Sequence, residues 1–184
     1  MTEKTLLMDE LAVCRAMARI THEIIEKNRG VDSLCIMGVK KRGVPIAMML
    51  KDNIKRFEGV DVPFGVLDIS TFRDDISPEE QVRLLEDCHF PCDLHDKLVI
   101  LVDDVLFTGR TARAAMESVF AYARPRAIQL AVLIDRGHRE LPIRPDYVGK
   151  NIPTSKYERI SVRLANDDED KGVYLCRLDE NELL

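Results

Sequence analysis

Lys97-Leu-Val-Ile-Leu-Val-Asp-Asp-Val-Leu-Phe-Thr-Gly-Arg-Thr111 is the most informative stretch of this 184-residue chain. Leu98 to Val102 is a continuous aliphatic run, which is typical of a strand buried on both faces of a parallel sheet. Two carboxylates follow, then a loop with glycine and threonine, and then a helix predicted over residues 112–123. Because ligands of open α/β sheets bind at the carboxyl ends of the strands, this order predicts a binding site.

The residue types in this stretch favour a ligand that carries both a sugar and a phosphate. A helix start offers free backbone N–H groups, and a glycine and two threonine hydroxyls beside it suit a phosphate group. Asp103 and Asp104 can accept hydrogen bonds from ribose hydroxyls or hold Mg²⁺ through their oxygens. The stretch therefore predicts contacts to both parts of such a ligand.

The rest of the chain alternates predicted strands and helices. Lys40-Lys41-Arg42-Gly43 joins a buried strand to a helix, and three cations at this position indicate an anion site where Gly43 lets the backbone approach a ligand closely. Asp9 is expected to cap the first helix and Gly30 to end it. Further strands are predicted at 33–39, 62–69, 127–134, 160–165 and 173–177, and further helices at 9–28, 44–57 and 77–87.

The composition places the chain in a broad class. Its length fits one domain with a sizeable core, and a net charge of −5 argues against general binding to polyanions. There is no signal-peptide pattern and no apolar run of membrane-spanning length. Five scattered cysteines indicate free thiols in a reducing cytoplasm. Cys88-His89-x-x-Cys92-x-x-His95 has the ligand types of a zinc site but lacks the paired spacing, so a linker is the alternative.

Val99 to Thr111 closely resembles the binding motif for phosphoribosyl pyrophosphate (PRPP) in the type I phosphoribosyltransferases. Lys40 to Gly43 resembles the family's pyrophosphate loop, and Ser70 to Asp96 resembles its flexible active-site loop. The resemblance implies an α/β fold in which a central, mostly parallel sheet is flanked by helices and carries a small hood. In a single domain, the core would span about 9–135, and the hood about 136–184 plus the N-terminal segment.

The family resemblance also implies roles for individual residues. Arg73, Asp103 and Asp104 would be catalytic, and the two aspartates would hold Mg²⁺ largely through the substrate. The residues implied in PRPP or nucleotide binding are Lys40, Lys41, Arg42, Asp103, Asp104, Val105, Leu106, Phe107, Thr108, Gly109, Arg110 and Thr111.

The stretch from Asp135 to Ser155 resembles family members that transfer the phosphoribosyl group to uracil and also regulate pyrimidine operons. These regulators bind the mRNA leader when UMP or UTP is present and act by transcription attenuation. A homodimer or a larger homo-oligomer is implied as well. The residues implied in uracil binding are Ile134, Asp135, Arg136 and Ile160, and those implied in RNA binding are Arg19, His22, Lys27, His138, Arg139, Arg144 and Lys150.

Two other functions remain open on the sequence. The chain could be a plain salvage enzyme for a pyrimidine or a purine, without RNA regulation, or a nucleotide sensor whose catalysis is vestigial. The stretch after Asp135 argues against a purine enzyme, and the intact cation loop and acidic pair argue against lost catalysis. Measured RNA binding would separate the bifunctional regulator from the plain salvage enzyme. The basic residues do not decide between them, because they could also form a solvated face.

Overall fold

The computed structural model describes residues 4–69, 88–155, 157–164, 168 and 170–177. A five-stranded parallel sheet with strand order β3-β2-β4-β5-β6 forms its centre, and a three-stranded antiparallel sheet has the order β1-β8-β7. The predicted α/β class is confirmed. The elements described are β1 (Lys4–Asp9), α1 (Glu10–Asn28), β2 (Leu34–Val39), α2 (Gly43–Glu58), β3 (Phe64–Leu67), β4 (Leu98–Leu106), α3 (Arg110–Tyr122), β5 (Ala127–Asp135), β6 (Tyr147–Asn151), β7 (Glu158–Arg163) and β8 (Gly172–Arg177).

The central sheet separates two apolar clusters. On one face, α1 and α2 pack their buried side chains against β2, β4 and β5. On the other face, α3 and the segment around Leu94 cover the same strands. All six residues of β2 are buried, and β4 is buried from Leu98 to Asp103. Burial on both faces explains why these strands are continuous aliphatic runs without alternation.

The small antiparallel sheet shares the core of the α1 and α2 face. Met8 of β1, Ile160 and Val162 of β7, and Val173 of β8 are buried in the cluster that contains the helices. The N-terminal segment reaches this sheet because β1 pairs with β8. β6 lies inside the range predicted as hood, yet it pairs in parallel with β5, so the central sheet continues beyond residue 135.

Two strands, β1 and β6, were not predicted from the sequence. In β1 only Met8 is buried, and in β6 only Tyr147 is. Both are edge strands in which most side chains face solvent or lie half-buried. A strand of this kind lacks the hydrophobic period on which sequence-based prediction depends.

The N-terminal cap of α1 is the predicted one, whereas the C-terminal cap differs from the prediction. The Asp9 carboxylate accepts a hydrogen bond from the Ala12 N–H at 2.7 Å, as predicted for the N-cap. At the other end, Arg29 is the left-handed capping residue with φ of 55°, and Gly30 follows with φ of 117°. The Gly30 N–H donates to the Ile25 carbonyl at 3.0 Å, so the chain turns over both residues. No helix in the described ranges has the length and apolarity to cross a membrane.

Candidate functional site

The loop after β2 brings cations to the carboxyl edge of the sheet. The Lys40 ammonium lies 3.1 Å from a carboxylate oxygen of Asp68, which follows β3. The Lys40–Lys41 peptide bond is cis. The Arg42 guanidinium donates to the Val162 carbonyl in β7, and its charge partly offsets the rise that burial causes in the pKa of Asp104. Residues 40–43, here called the cation loop, therefore lie between the two sheets and beside the acidic pair.

The acidic pair lies inside β4 and not after it, because the strand continues to Leu106. Asp103 is 8% exposed, and its carboxylate accepts the Asp104 N–H at 2.9 Å. Burial raises the pKa of Asp103 well above its ordinary value, and the neighbouring Asp104 charge raises it further. Burial also raises the pKa of Asp104, although the Asp103 hydrogen bond and Arg42 oppose that shift. A buried and a half-buried carboxylate side by side favour a partner that supplies hydroxyl donors or positive charge.

Gly43 contacts β4, where the sequence had predicted a close approach to a ligand. A Cβ atom at this position would lie 2.5 Å from the Val102 carbonyl oxygen and 3.1 Å from Asp103 Cα. Only glycine lets the first turn of α2 approach the strand this closely. The contact fixes the position of the cation loop relative to the acidic pair.

Residues 107–111, here called the phosphate loop, comprise the turn after β4 and the first two residues of α3. Gly109 has φ of 94° and precedes the first helical residue, Arg110. The Thr108 hydroxyl accepts the Arg110 N–H at 3.3 Å. α3 begins at Arg110, two residues earlier than predicted, so Arg110 and Thr111 belong to its first turn. The amides of a helix start and of a glycine turn together suit a phosphate group.

The four residues implied in uracil binding are largely engaged within the chain. Ile134 is fully buried and Ile160 is 7% exposed, both in the apolar cluster beneath the site. The Asp135 carboxylate accepts the Gly137 N–H at 2.9 Å and the Arg139 guanidinium at 2.5 Å. Its carbonyl accepts the Ile152 N–H, and the Arg136 N–H donates to the Leu106 carbonyl. The Asp135 carbonyl and the Arg136 N–H therefore already have partners within the chain, and binding of uracil by residues 134–136 stays a prediction.

Arg136 joins the phosphate loop to the segment before β7. Its guanidinium donates to the Thr154 hydroxyl at 2.8 Å and to the Ser155 and Glu158 carbonyls at 3.3 and 2.8 Å. Burial lowers the pKa of this guanidinium, yet its ordinary value is so high that it stays charged. The Phe107 ring lies 4.0 Å from it, which is a cation–π distance. Phe107 is 38% exposed, so part of the ring remains available to a ligand.

Four of the residues implied in RNA binding lie on α1 or the edge strand β6, and a fifth, Arg144, lies on the α3 side of the sheet. Arg19 donates to the Val148 and Gly149 carbonyls and pairs with Glu23, and Lys27 pairs with Asp146 at 2.8 Å. Arg144 lines a small cavity with Asp146 on the α3 side. Lys150 donates to the Leu7 carbonyl, and the His22 ring stacks on Phe57 with centroids 4.3 Å apart.

The other two residues implied in RNA binding lie next to the phosphate loop. His138 Nε2 is 2.5 Å from the Thr154 carbonyl oxygen, and the His138 ring meets the edge of Phe107 at 5.9 Å. The Arg139 guanidinium is bonded to carbonyls and to Asp135. The fold therefore divides the predicted RNA-binding residues into two groups.

The predictions for the segment between β3 and β4 divide into those outside the described residues and those within them. Arg73, implied in catalysis, and the helix predicted at 77–87 lie outside the described residues. The segment from Cys88 to His95 is described, and no group of three potential metal ligands comes together in the part of the chain that the structure describes. The Cys88 thiol lies 3.7 Å from the Asp68 carbonyl and 3.6 Å from the Ser118 hydroxyl.

Sequence reasoning missed Asp68 and Thr154. Asp68 directly follows the end of β3 and pairs with Lys40, so the rule that flagged Asp103 and Asp104 also applied to it. Thr154 is 8% exposed and accepts from Arg136. No local pattern distinguishes Thr154 from any other loop threonine, because its partner comes from a different strand end.

A parallel sheet with an acidic pair, a phosphate loop and a cation loop at one edge defines a phosphoribosyltransferase. The chain belongs to that family, since the model of the phosphoribosyl transferase domain matches residues 6–167. Within it, the chain belongs with the proteins named bifunctional protein PyrR. It is 53% identical over 168 residues to that of Acetivibrio thermocellus, covering 91% of both chains, and 52% identical over 178 residues to that of Clostridium acetobutylicum, covering 97% of this chain and all of the relative.

Solved structures confirm the fold alone. A hypoxanthine phosphoribosyltransferase from Trypanosoma cruzi is 22% identical with a TM-score of 0.74, over all of this chain and 98% of that one. A hypoxanthine-guanine phosphoribosyltransferase from Bacillus anthracis is 20% identical with a TM-score of 0.71, over 97% and 99% of the two chains. The predicted family and the assignment to a transferase are confirmed by the domain match and the curated relatives.

Proposed function

We propose that this chain transfers the phosphoribosyl group of PRPP to uracil, and that it binds the mRNA leader of a pyrimidine operon when a uridine nucleotide is present. The main support for the proposal is that Arg42, the acidic pair and the phosphate loop lie at the same edge of the central sheet. About half of the residues are identical to proteins named bifunctional PyrR over more than nine-tenths of the chain.

The transfer reaction depends on electrostatic stabilisation and positioning. The bond between the ribose carbon and pyrophosphate breaks, uracil nitrogen bonds to that carbon, and the nitrogen loses its proton. Because the leaving group is a diphosphate, cations beside it lower the barrier without a covalent nucleophile. Lys40, Lys41 and Arg42 supply that charge in the loop after β2, and Arg73 is assigned the same task from the resemblance.

Asp103 and Asp104 are assigned to the ribose hydroxyls. Their raised pKa values follow from burial, and the cost of ionising both carboxylates falls when hydroxyl donors or a cation approach. This donor set fits Mg²⁺, which, when bound with PRPP, would neutralise charge on the pyrophosphate. The metal would be held largely by the substrate, because Asp103 is almost fully buried.

The 5′-phosphate is assigned to the phosphate loop. The first turn of α3 and the turn at Gly109 supply N–H groups, and the Thr108 and Thr111 side chains supply hydroxyls. The base then lies toward the half-exposed ring of Phe107 and the end of β5. Uracil can be recognised by backbone groups alone, since it presents two carbonyls and an N–H.

The transferase activity is tested by measuring formation of nucleotide from PRPP with uracil and, separately, with hypoxanthine. We expect activity with uracil and not with hypoxanthine. Asp104→Asn is expected to lower kcat/KM by roughly 10²-fold, the order reported for loss of a transition-state contact, while circular dichroism stays unchanged. Wild-type activity in this variant would show that the ribose site has been misplaced. Activity with hypoxanthine would favour the purine salvage enzyme.

The RNA activity is assigned to the surface formed by α1 and β6. Arg19, His22, Lys27 and Lys150 lie there, although Glu23 and Asp146 partly neutralise them. The assigned set also includes Arg144, which lies beside Asp146 on the α3 side of the sheet. Cations give phosphate affinity that falls as salt rises, whereas stacking and base-edge contacts give specificity for a loop. The exposed His22 ring, backed by Phe57, offers a surface for stacking.

RNA binding is tested with the transcript of the chain's own upstream leader, with and without UMP, at a stated salt concentration. Binding in the nanomolar range that tightens with UMP and is lost with a scrambled leader supports the regulator. Equally weak binding to both transcripts, unaffected by UMP, leaves a uracil salvage enzyme with a basic surface. Cytoplasmic location and assembly into homodimers or larger homo-oligomers form part of the same proposal.

A further inference from the structure

The loop after β5 wraps around the phosphate loop. The Arg136 N–H donates to the Leu106 carbonyl at 3.1 Å, and the Glu140 and Leu141 N–H groups donate to the Thr108 carbonyl at 3.0 and 3.1 Å. The Glu140 carboxylate also pairs with Arg110, the first residue of α3, at 2.8 Å. Residues 136–143, here called the clamp, thus contact the last residue of β4 and two residues of the phosphate loop, Thr108 and Arg110.

Arg139 is at the centre of the clamp. Its Nη1 atom donates to the Phe107 carbonyl at 2.7 Å, to the Gly137 carbonyl at 3.1 Å and to the Leu106 carbonyl at 3.4 Å. Nε donates to the Ile143 carbonyl at 2.9 Å, and Nη2 is 2.5 Å from the Asp135 carboxylate. All three guanidinium nitrogens therefore have acceptors, and the side chain is only 21% exposed. An RNA phosphate would have to displace these bonds.

The clamp sets the direction of the peptide groups in the phosphate loop. The carbonyls of Leu106, Phe107 and Thr108 all point toward clamp donors. In a trans peptide the N–H points opposite to the carbonyl of the preceding residue. The N–H groups of Phe107, Thr108 and Gly109 are consequently turned away from the clamp. Amides turned the same way in successive residues form a concave anion site.

We propose that Arg139 is a positioning residue for binding of the 5′-phosphate. The inference rests on the proposed transferase function, because it assigns the phosphate loop to that group. Arginine is required because its planar fork reaches acceptors on several sides at once. Lysine would keep the charge but could not hold the carbonyls of Phe107 and Ile143 and the Asp135 carboxylate together.

The test is the variant Arg139→Lys in the transferase assay, with Arg126→Lys as the matched control. Arg126 is exposed, bonds to Ser33 at 3.0 Å and lies before β5, at the sheet edge opposite the site. We expect Arg139→Lys to raise KM for PRPP at least tenfold, to change KM for uracil less than about twofold, and to leave kcat at saturating PRPP within about threefold. UMP affinity by calorimetry should fall tenfold or more. A loss of fold would instead lower the fraction of active enzyme and leave both KM values unchanged.

Glu140→Ala supplies a second variant that does not disturb a buried group, since Glu140 is 52% exposed. We expect a smaller rise in KM for PRPP, about two- to fivefold, because only the tie to Arg110 is lost. The proposal is overturned if neither variant raises KM for PRPP beyond the Arg126→Lys control, or if Arg139→Lys lowers only kcat. A wild-type chain without PRPP-dependent transfer would refute the proposed function itself, which separates the two failures.

Discussion

Gly43→Ala should damage both stability and catalysis through a single atom. The added Cβ would lie 2.5 Å from the Val102 carbonyl oxygen and 3.1 Å from Asp103 Cα. Contacts under 3.0 Å are essentially absent at real Cβ atoms, so α2 and β4 must separate by about 0.5 Å at least. Both neighbouring atoms belong to the backbone of a buried strand, and neither can rotate out of the way.

The magnitude follows from overpacking and from displacement of the site. Overpacking of this kind typically costs about 1–3 kcal/mol, and for a chain of this size each kcal/mol lowers Tm by roughly 2–4 °C. The separation also moves the cation loop away from Asp103 and Asp104. Because a misplacement of about 1 Å can cost about 10²-fold in rate, we expect a fall of about 10- to 100-fold in kcat/KM for PRPP.

The assay compares Gly43→Ala with Gly149→Ala. A Cβ at Gly149 would lie 2.5 Å from the Leu133 carbonyl oxygen, so the clash is the same, but it occurs in the edge strand β6. Both variants should lose stability in thermal unfolding, and only Gly43→Ala should lose transferase activity well below its Tm. Normal kcat/KM and normal Tm in Gly43→Ala, or equal losses of activity in the two variants, would refute the reasoning.

Three further outcomes follow. Asp103→Asn should raise the free energy of unfolding at pH 7, because folding raises the pKa of this carboxyl. The gain should vanish below about pH 4, where the carboxyl is protonated in both the folded and the unfolded chain. Thermal melts that show an equal gain at pH 7 and below pH 4 would contradict this. Lys27→Gln should weaken leader RNA binding and reduce the salt dependence, with a slope smaller by about 0.7 to 0.9, whereas Arg113→Gln on α3 should not; unchanged slopes in both would remove Lys27 from the interface. Arg73→Ala should lower turnover more than UMP affinity, and equal losses in the two measurements would argue against a role at the leaving group.

The sequence by itself determined the centre of the fold and the chemistry of the site. The aliphatic runs of β2, β4 and β5 reflect burial on both faces, which is a local property of each strand. The cation loop follows β2, the acidic pair lies near the end of β4, and the phosphate loop follows β4. Parallel strands bring their carboxyl ends to one edge, so the chain order was enough to place these groups together.

Only the tertiary structure decided which polar groups remain available to a ligand. Arg42 donates to Val162, which lies 120 residues away, and Arg139 holds Phe107 across 32 residues. The Gly43 contact with β4 and the bond from Arg136 to Thr154 also join residues that are distant in the sequence. Such pairs form because loops from different strand ends pack against one another, and no periodicity or motif encodes that packing. The same holds for β1 and β6, whose pairing depends on a neighbouring strand edge and not on burial of their own side chains.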